Sequence, residues 1–150
     1  MSLHMVQIEV HRVGDVNVDV PAYATSGAAG LDLQAALSEA KTLLPGKRLL
    51  VPTGLRFAIP EGYEGQVRPR SGLALKCGLT VLNSPGTIDS DFRGEVGVVL
   101  INHGEEPVQI EPRMRMAQLV ICKVERAELI ESKGLSATAR GAGGYGSTGT

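Results

Sequence analysis

The segment Arg68-Pro-Arg70-Ser71-Gly72 gathers groups that suit an oxyanion. The Arg70 guanidinium can grip two oxygens through its planar fork, and Ser71 supplies a hydroxyl donor. Ser71-Gly-Leu-Ala-Leu-Lys-Cys77 reads as a short helix, with Ser71 suited to the N-cap and Gly78 to the stop. Free N–H groups at its start would add partial positive charge. The plainer account is a capped helix beside a surface arginine. A second such pattern closes the chain, where Gly141-Ala-Gly-Gly-Tyr-Gly146 is literally GxGxxG. A dinucleotide fold needs a strand before that motif, a helix after it and an acidic residue further on, and only four residues follow. A Walker loop fails for want of Gly-Lys-Ser/Thr. What remains is either a disordered end or a polyphosphate grip built from backbone N–H groups, Arg140, Ser147 and Thr148.

Asp89-Ser-Asp91-Phe-Arg-Gly94 has the outline of a calcium loop. Arg93 stands at a ligand position, however, and Leu100 replaces the bidentate glutamate, which excludes the EF-hand. Asp89 is then either a turn former or a carboxylate free to act as a base. No GxSxG accompanies His4, His11 or His103, so a Ser–His–Asp hydrolase has no support. Cys77 and Cys122 lack zinc spacing and are too few for a disulfide framework.

These groups need a scaffold, and the periodicity is that of strands. Val16, Val18 and Val20 alternate with polar residues, as do Leu55, Phe57 and Ile59. Leu31 and Leu33 flank Asp32, and Glu95 to Asn102 and Ala117 to Val124 are rich in β-branched residues. Pro45-Gly46, Pro60-Glu-Gly62, Pro85-Gly86 and His103-Gly104 punctuate the runs. Many short strands at such spacing predict an all-β fold, a distorted jelly-roll sandwich or barrel with one short helix. The core is aliphatic: 15 Val, 17 Leu and 7 Ile against five aromatics and no Trp. One domain accounts for all 150 residues. Residues 1–5 could be a cloning scar or a disordered lead, and 132–150, rich in Gly, Ser, Ala and Thr, reads as a mobile glycine-rich arm. A net charge of −1 argues against a nucleic-acid groove binder. No apolar run is long enough for a membrane span, no signal peptide is apparent, and free thiols suit a cytoplasmic protein.

Taken together and in order, the motifs resemble those of the trimeric dUTP diphosphatases (dUTPases). They are Ala29-Gly-Leu-Asp32-Leu-Gln-Ala35, Arg68-Pro-Arg-Ser-Gly-Leu-Ala74, Leu82-Asn83-Ser-Pro-Gly-Thr-Ile-Asp89-Ser-Asp-Phe-Arg-Gly94, Arg115-Met-Ala-Gln118-Leu119 and Arg140-Gly-Ala-Gly-Gly-Tyr-Gly-Ser-Thr-Gly149. The resemblance runs from about Ala24 to Gly149. Phe92 stands where many members carry Tyr, Tyr145 where Phe is commoner, and Met114 at a position usually acidic. None of the three removes a group the chemistry needs.

The resemblance implies hydrolysis of dUTP to dUMP and pyrophosphate by water attack on the α-phosphorus. That reaction limits uracil in DNA and supplies dUMP for thymidylate synthesis. Asp89 would activate the water and hold the sugar 3′-hydroxyl. Arg70, Ser71, Gly72, Gln118 and the arm residues Arg140, Gly146, Ser147 and Thr148 would cradle the triphosphate. Mg2+ would share that role, with Asp32 holding it through water. Uracil would lie in a hairpin between Asn83 and Asp89, with Phe92 beneath the deoxyribose and Tyr145 stacked over the base. The family forms homotrimers whose sites draw on all three chains. The partners implied are thus dUTP or dUMP and further copies of the chain, with neither nucleic acid nor membrane. A dCTP deaminase shares the architecture, but the Arg140–Gly149 pattern favours dUTPase. A non-catalytic dUTP-binding module would not need Asp89.

Overall fold

A computed structural model of the chain describes residues 5–149, so the expectation for residues 1–5 lies, except at Met5, outside the described residues. Among the described residues, eleven strands and one helix follow in chain order. They are β1 (Glu9–Arg12), β2 (Leu31–Gln34), β3 (Lys41–Leu43), β4 (Arg48–Pro52), β5 (Leu55–Ala58), β6 (Tyr63–Arg68), α1 (Ser71–Cys77), β7 (Leu79–Val81), β8 (Gly86–Ile88), β9 (Gly97–Asn102), β10 (Val108–Ile110) and β11 (Arg115–Lys123).

Every ladder is antiparallel. The largest sheet runs β2-β11-β6-β8, a second runs β4-β9-β7, and β1-β5 and β10-β3 are pairs. Alternation drives the burial. In β9, Val98, Leu100 and Asn102 point inward while Gly97, Val99 and Ile101 face outward. Buried side chains from β2 to β11 meet in one aliphatic cluster, against which Val10 of β1 packs, with Leu33, Val51, Leu100, Ile110 and Ala117 fully buried. This is the jelly-roll-like β-sandwich with one short helix that the strand pattern predicts. No helix among the described residues is long and apolar enough to cross a membrane.

Two expectations need correction. Val16–Val20 is not a strand although Val18 is buried. Side chains replace the ladder there: Arg12 Nε donates to the Val18 carbonyl (2.9 Å), and the Asp19 N–H donates to Gln34 Oε1 (3.0 Å). The Asp19 carboxylate also accepts from Gln34 and from Arg113 (2.9 Å), and these contacts hold its pKa below the usual aspartate value, Gln34 first. Nor is Ser71 the N-cap. Arg70 is, with extended φ −96 and ψ 127, and its carbonyl accepts from Ala74 N–H (3.1 Å). Ser71 is the first helical residue and exposed. The helix stops at Gly78, whose N–H reaches the Ala74 and Leu73 carbonyls.

Candidate active site

The central sheet sets the first half of the site. Gln118 on β11 is in register with Asp32 on β2 and with Arg68 on β6, so three of the sequence motifs meet on adjacent strands. Two residues past β6, Arg70 turns its Nε to Asp32 Oδ1 (3.2 Å) and its Nη1 to the Arg115 carbonyl (2.9 Å). Arg115 Nη1 lies 3.3 Å from Asp32 Oδ2. One carboxylate thus holds two guanidiniums, leaving the cluster net positive beside the exposed Ser71 and Gly72. Gln118 Nε2 donates to the Pro69 carbonyl (2.9 Å). Gly30 makes that pose possible, because a Cβ there would meet Gln118 Oε1 at 2.0 Å. Arg115 and Gly30 stand inside quoted motifs without a role assigned from sequence. Their signal was position alone, and only the side-chain contacts give them work.

The second half lies where the two larger sheets part. The expected hairpin between Asn83 and Asp89 is not one. β7 pairs with β9 and β8 pairs with β6, so consecutive strands end as edges of different sheets. The reason is the intervening turn: Leu82 N–H donates to Val99 (2.8 Å), keeping the chain on β9, before Gly86 comes level with Val67 on β6. Unpaired edges leave backbone N–H and C=O groups open. A cavity of about 190 Å³ sits there, lined by Asn83, Gly86, Asp89, Phe92 and Glu95 among others. Complete small-ligand pockets are typically about 300–1,000 Å³, so this one suits part of a nucleotide. Among the described residues no hydrogen bond or ion pair holds the Asp89 carboxylate, which is exposed just past the end of β8.

The two halves lie toward opposite ends of β6. Gly65 pairs with Ile88 and Val67 with Gly86, so Asp89 comes level with Glu64. Arg70 lies two residues beyond the other end of β6, whose four steps from Glu64 to Arg68 span about 13 Å at about 3.3 Å per residue.

The arm meets neither half. Among the described residues, every hydrogen bond of 132–149 falls within the arm, as a run of tight turns such as Gly143 N–H to Arg140 (3.1 Å) and Ser147 N–H to Gly144 (3.1 Å). Arg140 Nε donates to the Gly143 carbonyl (2.8 Å). Tyr145 is fully exposed with φ 48, and Gly146, Ser147 and Thr148 are exposed beside it.

Comparison with known proteins follows the same residues. The sequence profile of the dUTPase family matches residues 16–149. A deoxyuridine 5′-triphosphate nucleotidohydrolase of Methylocella silvestris is 64% identical over 135 residues, covering 89% of this chain and 84% of that protein. The protein of the same name from Anaeromyxobacter sp. is 58% identical over 146 residues, covering 96% and 98%. Among solved structures, the dUTPase of Staphylococcus bacteriophage 80alpha with dUPNHPP superposes with a TM-score of 0.87 at 26% identity, covering 96% of this chain and 99% of that one. A mutant dUTPase from phage phi11 of S. aureus, described with a structural Mg(II) ion, shares the fold with a TM-score of 0.77 at 23% identity, over 85% and 97%.

Proposed function

This chain belongs to the dUTPase family and is a hydrolase of dUTP, and from that premise we propose that Asp89 activates the water that attacks the α-phosphorus. The products are dUMP and pyrophosphate. The observation that carries the assignment of roles is the division of labour between two carboxylates. Asp32 is committed to Arg70 and Arg115. Asp89 carries no such partner among the described residues and borders the cavity, so its oxygens are open to a proton from water and to the sugar 3′-hydroxyl. A positioned base of this kind contributes about 10²–10⁴-fold.

Arg70, Ser71, Gly72 and Gln118 take the triphosphate, and the Arg115 guanidinium adds charge beside them. Uracil enters between the free edges of β7 and β8, where backbone groups and the Asn83 amide offer donors and acceptors. Phe92 underlies the deoxyribose and crowds the 2′ carbon. The placement of Asp89 and Arg70 toward opposite ends of β6 supports a site shared between copies, since neither half suffices alone. A homotrimer closes such a ring with three equal sites. The arm of a third copy, residues 132–150, would then bring Arg140, Gly146, Ser147 and Thr148 to the phosphates and Tyr145 to the base. Each copy is one domain plus that arm, and its half-buried free thiols suit the cytoplasm.

Magnesium fits this site in one way only. Among the described residues no group of three His, Cys, Asp or Glu side chains could hold a metal. Asp32 already receives two guanidiniums, but a carboxylate has about four acceptor positions, leaving room for metal-bound water. Bound chiefly by phosphate oxygens and its own waters, Mg2+ would neutralise charge on the triphosphate.

The test is turnover of dUTP with magnesium, with dUMP, pyrophosphate and ammonia all measured. Equal amounts of dUMP and pyrophosphate are expected, with the rate falling on chelation. Ammonia release would mark a deaminase instead, and tight binding without turnover a nucleotide-sensing module.

A further inference from the structure

The loop that carries Asp89 and Phe92 is braced throughout. Phe92 N–H donates to the Asp89 carbonyl (3.1 Å). Arg93 Nη1 donates to the carbonyls of Ser90 (2.6 Å) and Phe92 (3.0 Å). Glu95 Oε1 accepts from Gly54 N–H (2.9 Å), tying the far end of the loop to the turn between β4 and β5. On this loop Gly94 has no part in the chemistry above, yet it lies close against the far edge of the Phe92 ring. A Cβ at position 94 would stand 2.7 Å from Cζ and 2.9 Å from Cε2 of that ring.

We propose that Gly94 is a specificity-determining position: its bare α-carbon is the seat against which the edge of the Phe92 ring rests, and that seat sets the position of the ring against the 2′ carbon of the sugar. The inference rests on the reading of Phe92 as the floor under the deoxyribose. Carbon atoms in contact keep about 3.5–4.0 Å, so a methyl at 94 displaces the ring by roughly an ångström. The brace at Arg93 and Glu95 holds the backbone, so the ring must move rather than the loop. Phe92 lines the cavity, so a ring displaced from Gly94 shifts within the space the sugar needs. At 44% exposed, Phe92 can move without disturbing the core. Deoxyribose then loses its fit, whereas a ribose, already crowded at its 2′-hydroxyl, loses little more.

The experiment is a double-mutant cycle of Gly94→Ala and Phe92→Ala, with kcat and KM for dUTP and UTP and a melting curve for each protein. Gly94→Ala is expected to raise KM for dUTP about tenfold with kcat within about threefold, and to lower the dUTP-to-UTP ratio of kcat/KM by about tenfold. In the Phe92→Ala background the same substitution should change KM less than about twofold, because no ring remains to displace. An unaltered ratio in Gly94→Ala, or an equal effect with and without the ring, would overturn the proposal. If Gly94→Ala melts too early to assay, Phe92→Leu tests the seat from the other side. Leucine lacks the ring edge that reaches position 94, so selectivity should again fall, and an unchanged ratio overturns the proposal. Wild-type turnover is measured first. Its absence would overturn the proposed function along with this inference, whereas normal wild-type turnover with an unaltered variant overturns this inference alone.

Discussion

Asp89 and Asp32 are chemically alike and separated by their neighbours. Two guanidiniums within 3.3 Å occupy Asp32, while Asp89 follows β8 with no side-chain partner among the described residues. Asp89→Asn should therefore leave nucleotide binding within a few-fold and lower kcat by about 10²–10⁴. Single-turnover kinetics beside a binding titration separate the two effects. A kcat within about tenfold of the wild type would mean that another group activates the water. Asp89, Arg70 and Gln118 stand out from their motifs as candidates. The contacts of Arg115 and Gly30 do not, because a side chain's partner across a sheet depends on register rather than on spacing along the chain.

At the scale of elements, short strands hide themselves. β3, β8 and β10 have three residues each, too few for a period of two to register. Two polar side chains do much of the joining that the pattern cannot show. Asn102 is fully buried; its Nδ2 donates to the carbonyls of Leu43 (2.9 Å) and Glu106 (2.8 Å), and its Oδ1 accepts from Gly104 N–H (2.8 Å). Asn102→Ala orphans all three groups and should cost about 2–4 kcal/mol in denaturant unfolding, with kcat of the surviving folded enzyme little changed. Asp19 fastens the segment before β2 to Gln34 and Arg113. Its lowered pKa means that the folded state favours the carboxylate, so this contribution is present at neutral pH and lost as pH falls through the depressed value. The melting temperature of Asp19→Asn should lie below the wild type at pH 7, and the gap should close below about pH 4. A gap independent of pH would assign the effect to Gln34 geometry rather than to charge.

For the whole molecule, the distance between the half-sites leads to a mixing test. Asp89→Asn and Arg70→Lys chains, each weakly active, are unfolded together and refolded. Shared sites predict hybrid oligomers in which some sites combine an intact Asp89 with an intact Arg70, and activity above the sum of the parents. Mixtures no better than their parents would place the whole site within one chain. A chain ending at Lys133 tests the arm. The removed residues bury almost nothing in the described structure, so its melting should barely change. The loss of Arg140, Tyr145, Ser147 and Thr148 should cut kcat/KM by at least about a hundredfold, since a closing arm completes charge neutralisation and excludes water. Near-wild-type kcat/KM would remove the arm from the site.

The sequence by itself determined the class of fold and the identity of the chemistry. Alternating aliphatic residues between Pro-Gly turns can bury their faces only as sheets packed on one another, and five ordered motifs resemble those of a single family, the dUTPases. Tertiary structure decided which groups meet. Register across β2, β11 and β6 brought Asp32, Gln118 and Arg68 level, made Arg115 a partner of Arg70, and turned an expected hairpin into two free edges around a cavity. Those outcomes depend on which strand lies beside which, over sequence separations such as the 83 residues from Asp32 to Arg115. Local propensity acts over a few residues. The pairing of strands is instead settled by the burial of all the inward faces at once, so Val16–Val20 could keep a strand's pattern and still take its hydrogen bonds from side chains.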